Sequence, residues 1–227
     1  MVRRTATALL SFLLLASGLV LYGQTGTARA QEIIERVLAS NGAFMKAHGP
    51  AHFKPLVEGQ HPQITLITCS DSRIQMHALD AMPDGEVFVI RDIGNQLATC
   101  EGSVEYGVHH LHTPVLLIVG HVRCGAVKAA MGDYSGEPPA IRRELGTLKL
   151  KKGGSWLDEV RANVNAQVRA AMALFREEIK AGTLTVIGAV YDFADDLKQG
   201  SGRLVVINVN GDTSPAEIHA FLAPPKK

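Results

Sequence analysis

The sequence has little of several features that mark particular classes of protein. Its 227 residues include only three cysteines, too few for a disulfide-dense small fold and an odd number for a complete intrachain set. Basic and acidic residues are nearly balanced, which leaves no electrostatic footprint for nucleic acid or anionic lipid. Internal repeats and low-complexity tracts are absent. The length suits one compact domain with a sizeable core and is too short for two domains that each have such a core.

Residues 1–30 differ from the rest of the chain. Arg3 and Arg4 form a basic start, residues 8–22 are an apolar run shorter than the ~20 residues of a membrane span, and Ala28-Arg29-Ala30 resembles a signal-peptidase site. This pattern predicts a cleavable signal peptide over 1–30, a single domain over 31–227, and a periplasmic or secreted protein. A retained membrane anchor is the alternative, and the export route, general or twin-arginine, stays open.

The predicted mature chain has 20 basic and 22 acidic residues, so its formal charge is −2. We expect it to have no membrane segment and no nucleic-acid partner.

Apolar runs of strand length alternate with helical patterns along the chain, which predicts an α/β fold with a largely parallel central sheet flanked by helices. The predicted strands are residues 64–68, 86–90, 114–119, 184–191 and 203–209. The predicted helices are residues 32–46, 101–111, 125–131, 138–152, 156–180 and 214–222. A loop containing Pro50, Pro55 and Pro62 is predicted before the first strand.

Two polar segments follow predicted strands directly. Cys69 ends the first strand, and His121 and Cys124 follow the third. In open α/β sheets, sites form at the carboxyl ends of the strands, so we expect these three side chains to converge. Two thiolates and one imidazole suit tetrahedral zinc with one position left for water, which is the catalytic pattern. No further Cys or His stands at the spacing of a structural zinc knuckle, and the C-x-x-C of a redox protein is missing.

The motifs resemble those of the β-class carbonic anhydrases. The family's C-x-D-S-R and G-H-x-x-C-G signatures stand at residues 69–73 and 120–125, and residues 91–95 are similar to its R-N-x-G-N segment, with Asp92 in place of Asn. The resemblance extends from about residue 32 to 209. It implies one Zn²⁺ per chain on Cys69, His121 and Cys124, and reversible hydration of carbon dioxide to bicarbonate and a proton by zinc-bound hydroxide.

The resemblance also implies roles for individual residues. Asp71 accepts a hydrogen bond from the zinc-bound water or hydroxide, and Arg73 keeps Asp71 ionised and oriented. The implied substrate pocket consists of Gln60, Phe88, Ile93, Tyr106 and Gly125. In the family the residues at the positions of Phe88, Ile93 and Tyr106 face the zinc of a neighbouring subunit, which implies a homodimer or a dimer of dimers. The family's bicarbonate-regulated subtype has Trp three residues before the first zinc cysteine, where this chain has Leu66, so an open site is expected.

Three alternatives stay open at this point. Members of the same family hydrolyse carbon disulfide or carbonyl sulfide with the same zinc ligands. An exported zinc-binding protein without catalysis would need none of Gln60, Asp71 and Arg73, and a redox protein would pair Cys69 with Cys124. The histidines at 109, 110 and 112 are expected on a solvated helix surface, where one of them could relay protons. Cys100 is expected to be a buried thiol, with an intersubunit disulfide as its alternative.

Overall fold

The computed structural model describes residues 26–224, and its five strands form a single mixed sheet. Its strands are β1 (Ile64–Cys69), β2 (Val87–Asp92), β3 (Val115–His121), β4 (Thr185–Asp192) and β5 (Arg203–Val209). The order across the sheet is β2-β1-β3-β4-β5, with β5 antiparallel and the other four parallel. The predicted α/β fold class is confirmed.

Helices precede, connect and follow the strands along the chain. They are α1 (Gly26–Ala47), α2 (Pro50–Phe53), α3 (Glu101–Glu105), α4 (Gly125–Ala130), α5 (Pro139–Thr147), α6 (Trp156–Leu174), α7 (Arg176–Lys180) and α8 (Pro215–Leu222). The side chain of Ser155 accepts a hydrogen bond from Asp158 N at the start of α6, and Ser214 caps α8 in the same way. In the described range, no helix combines the length and the apolar character needed to span a bilayer.

Several predicted helix boundaries were wrong. The helix predicted over 156–180 is interrupted at Phe175, where the backbone leaves helical geometry and the side chain is fully buried. In place of the helix predicted over 101–111, the short α-helix α3 is followed by one wider π turn, Tyr106–His110. The proline-containing loop includes α2 and a 3₁₀ turn, Lys54–Leu56. Tertiary packing and backbone geometry fixed these ends, and neither is visible in apolar periodicity.

The chain divides into two compact units, Met1–Glu58 and Gly59–Lys227. Of the first unit the structure describes residues 26–58, in which α1 has no buried residue. The predicted signal peptide lies largely outside the described residues; Ala28-Arg29-Ala30 lie within α1. The assignment of 1–30 as signal and 31–227 as one domain stays a prediction.

The core of the second unit has two large clusters, one on Leu66, Val119 and Val164 and one on Ile67, Ile118 and Phe175. Helix α6 packs against β3 and β4. A Cβ atom at Gly120 would lie 2.6 Å from a methyl group of Val164, so only glycine allows this approach just before His121. The packing holds α6 beside the carboxyl ends of the central strands.

Candidate metal centre and active site

Two neighbouring parallel strands bring the predicted ligands together. Cys69 is the last residue of β1 and His121 is the last residue of β3, and the two strands pair in register up to Thr68 and Val119. Cys124 follows in the tight connection to α4 and is the residue preceding that helix. The convergence expected from the sequence therefore occurs at one edge of the sheet.

The three ligand atoms form a compact, buried set. They lie within 4.8 Å of one another, and the sulfur atoms of Cys69 and Cys124 are 4.0 Å apart. All three residues are buried. Two sulfur donors and one nitrogen at this separation suit a tetrahedral zinc ion with one ligand position open.

The imidazole of His121 is arranged for metal binding. Its Nδ1 lies 2.9 Å from the carbonyl oxygen of Val122, and because a carbonyl only accepts, Nδ1 carries the proton. Nε2 is then an acceptor, yet it is fully buried and no described residue gives it a hydrogen bond. A metal ion satisfies such a lone pair, so the residues present fit zinc.

The two thiols interact strongly with each other. Their hydrogen bond lowers the pKa of Cys69, which also accepts from the backbone N–H of Gly94 at 3.4 Å, while the same contact and burial raise the pKa of Cys124. Gly94 has a φ of +91°, a conformation that side chains rarely adopt. The sulfur pair therefore forms a thiolate readily, and a divalent cation would favour the loss of the second proton.

Asp71 and Arg73 form a bidentate ion pair next to the ligands. Arg73 donates from Nε to Asp71 Oδ1 at 2.9 Å and from Nη2 to Asp71 Oδ2 at 2.6 Å. The hydrogen bonds from Arg73 hold the pKa of Asp71 well below its usual range. Asp71 Oδ2 lies 3.7 Å from His121 Nε2, so an ionised carboxylate borders the position where the metal fits.

The loop after β4 contributes residues that the sequence analysis did not identify. The guanidinium of Arg73 lies over the ring of Phe193, 4.7 Å from its centroid, and donates to the carbonyl of Arg123 at 3.1 Å. Arg123 in turn forms a bidentate ion pair with Asp196. Asp192, fully buried, accepts backbone hydrogen bonds from three residues of this loop. No motif marks this segment; its only sequence signal is its place after a strand neighbouring β3.

The predicted pocket residues fall into separate groups within one chain. Ile93 and Gly125 adjoin the site along the chain: Ile93 precedes Gly94, and Gly125 follows Cys124 as the first residue of α4, where an added Cβ atom would meet nothing within 4 Å. Phe88 and Tyr106 lie against each other with ring centroids 5.8 Å apart, and Phe88 packs against the cluster that contains Ile67. Gln60 lies exposed in the segment before β1.

The histidines at 109, 110 and 112 are exposed. His109 Nε2 lies 3.0 Å from a carboxylate oxygen of Glu178, and His110 packs on the ring of Tyr106. Cys100 is half-buried, its thiol donates to the carbonyl of Gln96, and burial raises its pKa to about 12.

Comparison with known proteins identifies the family. The carbonic anhydrase family model matches residues 64–200, which contain the metal ligands, Asp71 and Arg73. The chain belongs to the carbonic anhydrase family. A carbonic anhydrase of Mycolicibacterium smegmatis is 32% identical over 154 residues, covering 62% of this chain and 75% of that protein. Carbonic anhydrase 2 of Mycobacterium tuberculosis is 30% identical over 158 residues, covering 63% and 76%.

Solved structures identify the class. A tetrameric β-carbonic anhydrase of Sordaria macrospora is 28% identical with a TM-score of 0.66, covering 78% of this chain and 98% of that one. The β-carbonic anhydrase of Coccomyxa is 26% identical with a TM-score of 0.62, covering 87% and 92%. The predicted family and fold are confirmed. This carbonic anhydrase is a zinc enzyme that catalyses the reversible hydration of carbon dioxide to bicarbonate and a proton.

Proposed function

We propose that Asp71 and Arg73 are the catalytic pair of this carbonic anhydrase. The observation that carries the proposal is the fixed position of the Asp71 carboxylate. It accepts three hydrogen bonds from Arg73, one from the backbone N–H and two from the guanidinium, and lies 3.7 Å from Nε2 of His121. An ion pair with only a surface role would not need to lie next to a metal ligand. Stopped-flow carbon dioxide hydration by Asp71→Asn at full zinc content tests the assignment.

The ligand set would hold zinc, which when bound lowers the pKa of water to ~7 and so supplies hydroxide near neutral pH. Asp71 accepts a hydrogen bond from the attacking oxygen and orients it toward the carbon of carbon dioxide. Arg73 keeps this carboxylate ionised and fixes its two oxygens, a task that a planar guanidinium performs better than an ammonium. The Phe193 ring and the Arg123 carbonyl hold Arg73 itself in place.

We assign substrate contact to Gln60, Ile93 and Gly125 from one subunit. Gln60 offers an amide to bicarbonate, Ile93 an apolar wall, and Gly125 open space at the start of α4. Phe88 and Tyr106 would complete the pocket of a partner subunit. Within one chain, Phe88 lies away from the metal ligands, which supports this assignment. On the sheet it pairs with Thr65, four residues before Cys69.

We propose that the protein is a homodimer or a dimer of dimers. The edge strand β2 has no neighbour on its outer side among the described residues, and Val89 on it is 37% exposed. Tyr106 is 43% exposed. Helix α1 separately exposes a row of large apolar side chains, Ile34, Val37, Leu38 and Met45. A second copy of the chain would bury these surfaces, and the similar β-carbonic anhydrase of Sordaria macrospora is a tetramer.

Charge on the apolar row of α1 should lower the oligomeric state. We expect the double variant Ile34→Glu/Leu38→Glu to have a smaller mass than wild type, because both side chains are more than half exposed and would meet the partner. Light scattering after size-exclusion chromatography measures this. Ala39→Glu/Ala43→Glu, which introduces two acids at the same spacing on the opposite, exposed side of the helix, is the control and should keep the wild-type mass. An unchanged mass in the double variant would contradict the proposed role of α1.

We also propose that the protein is exported and cleaved after Ala30. The basic start, the apolar run and Ala28-Arg29-Ala30 support this. N-terminal sequencing of protein from the periplasm or medium should give a chain that begins at or near Gln31. Intact Met1 in a membrane fraction would contradict it.

A further inference from the structure

Two buried amide side chains on α6, those of Asn163 and Gln167, form hydrogen bonds with the loop that follows β2. Asn163 donates from Nδ2 to the carbonyl oxygen of Gly94 at 2.8 Å. Gln167, one turn later, donates to Asn163 Oδ1 at 3.0 Å and accepts from the backbone N–H of Leu97 at 3.0 Å. The side chains thus form a chain of three hydrogen bonds that holds the loop at both ends.

The same loop touches a metal ligand. The N–H of Gly94 donates to the sulfur of Cys69, and Gly94 is the residue whose carbonyl Asn163 holds. Asp92 secures the start of the loop by accepting from the N–H of Gln96. Gly94 thus contacts Cys69 through its N–H and Asn163 through its carbonyl, so this one residue links α6 to a metal ligand.

The side-chain hydrogen bonds of Asn163 all go to this loop and to Gln167. It is 2% exposed on a helix whose neighbouring core residues, Val160 and Val164, are apolar. A buried amide costs free energy unless all its hydrogen bonds are made, and an apolar residue could fill the space. Its amide donor reaches into the loop that contacts Cys69.

We propose that Asn163 is a positioning residue of the metal centre, which acts through Gly94 on the thiolate of Cys69. A hydrogen bond to the sulfur lowers the energy of the thiolate lone pair and fixes the direction in which Cys69 offers it to the metal. Gln167 supports Asn163 in this task. The proposal rests on the metal centre of Cys69, His121 and Cys124 and does not depend on the roles of Asp71 and Arg73.

Metal affinity and the cobalt spectrum test the proposal. In Asn163→Ala, the dissociation constant for Zn²⁺, measured by chelator competition, should rise ~10–100-fold, as outer-shell changes do. With Co²⁺ in place of zinc, the sulfur-to-cobalt charge-transfer band should move to lower energy, because the Gly94 N–H, no longer held in place by Asn163, makes a weaker hydrogen bond to the thiolate. Trp156, the only tryptophan, donates to the carbonyl of Cys124 and gives a fluorescence signal for metal binding.

Asn165→Ala is the matched control. Asn165 is on the same helix and accepts from the buried Asn208 at 2.8 Å, so its loss also breaks an amide–amide hydrogen bond, at a distance from the loop. It should leave zinc affinity and the cobalt band at their wild-type values. If Asn163→Ala does not fold, Asn163→Leu fills the space with an apolar side chain of similar shape and also removes the amide donor. A lower melting temperature with unchanged affinity and band, or equal changes in both variants, would overturn the proposal.

Discussion

Replacing Cys124 with serine is expected to remove zinc and carbon dioxide hydration together. The sulfur of Cys124 is one of three donors within 4.8 Å, and a serine hydroxyl is a poor substitute for a thiolate on zinc. Metal analysis of purified protein should fall from about one zinc per chain to near zero, and the stopped-flow rate should fall to the buffer background.

Cys100→Ser is the matched control for this change. It makes the same atomic substitution at the remaining cysteine, whose thiol donates to Gln96 and lies outside the ligand set. Zinc content and activity should both stay at wild-type values. Full zinc occupancy in Cys124→Ser, or loss of zinc in Cys100→Ser, would mean that the ligand set is wrong.

Asp71→Asn should lose ~10²–10³ in rate while retaining zinc, because one preorganised interaction with the reacting oxygen is lost and the three ligands are untouched. The substitution keeps the size of the side chain and removes the anionic acceptor that Arg73 orients. The rate per zinc, from stopped-flow assay and metal analysis on the same sample, measures the effect.

An exposed acid away from the metal ligands provides the control for Asp71. Asp133 accepts from the N–H of Ser135 in a turn, and Asp133→Asn makes the same chemical change there. It should leave the rate per zinc unchanged. Wild-type rates in Asp71→Asn would rule out the catalytic role of Asp71.

The pKa of Asp71 bears on the pH dependence of the wild type. Arg73 lowers this pKa, so Asp71 stays ionised through the neutral and mildly acidic range. With buried Leu66 in the position where the regulated subtype has Trp, activity should follow one smooth ionisation in the pH–rate profile. A steep cooperative loss of activity on acidification would contradict an open site.

The metal centre could be predicted from the sequence because its residues follow strands that are easy to recognise. Residues 64–68 are rich in β-branched and apolar side chains, and the polar segment after them starts at Cys69. Once β1 and β3 are taken as parallel neighbours, the convergence of Cys69, His121 and Cys124 follows from the geometry of the sheet.

The supporting contacts could not be predicted in the same way. Asn163 lies 69 residues from Gly94 along the chain, and Arg123 lies 73 residues from Asp196. Amides and charged residues at such positions look like ordinary helix and loop residues until the fold brings them together. The break at Phe175 was missed for a related reason, since a fully buried aromatic side chain looks the same in the sequence whether the helix continues or ends.

The most direct test of the central claim is stopped-flow hydration of carbon dioxide by mature protein of measured zinc content, with carbon disulfide and carbonyl sulfide hydrolysis assayed on the same sample. We expect hydration of carbon dioxide in proportion to zinc, lost on chelation and restored by adding zinc, and far faster than hydrolysis of either sulfur compound. Zinc-loaded, folded protein that leaves carbon dioxide at its uncatalysed rate, or that acts mainly on carbon disulfide or carbonyl sulfide, would contradict the account.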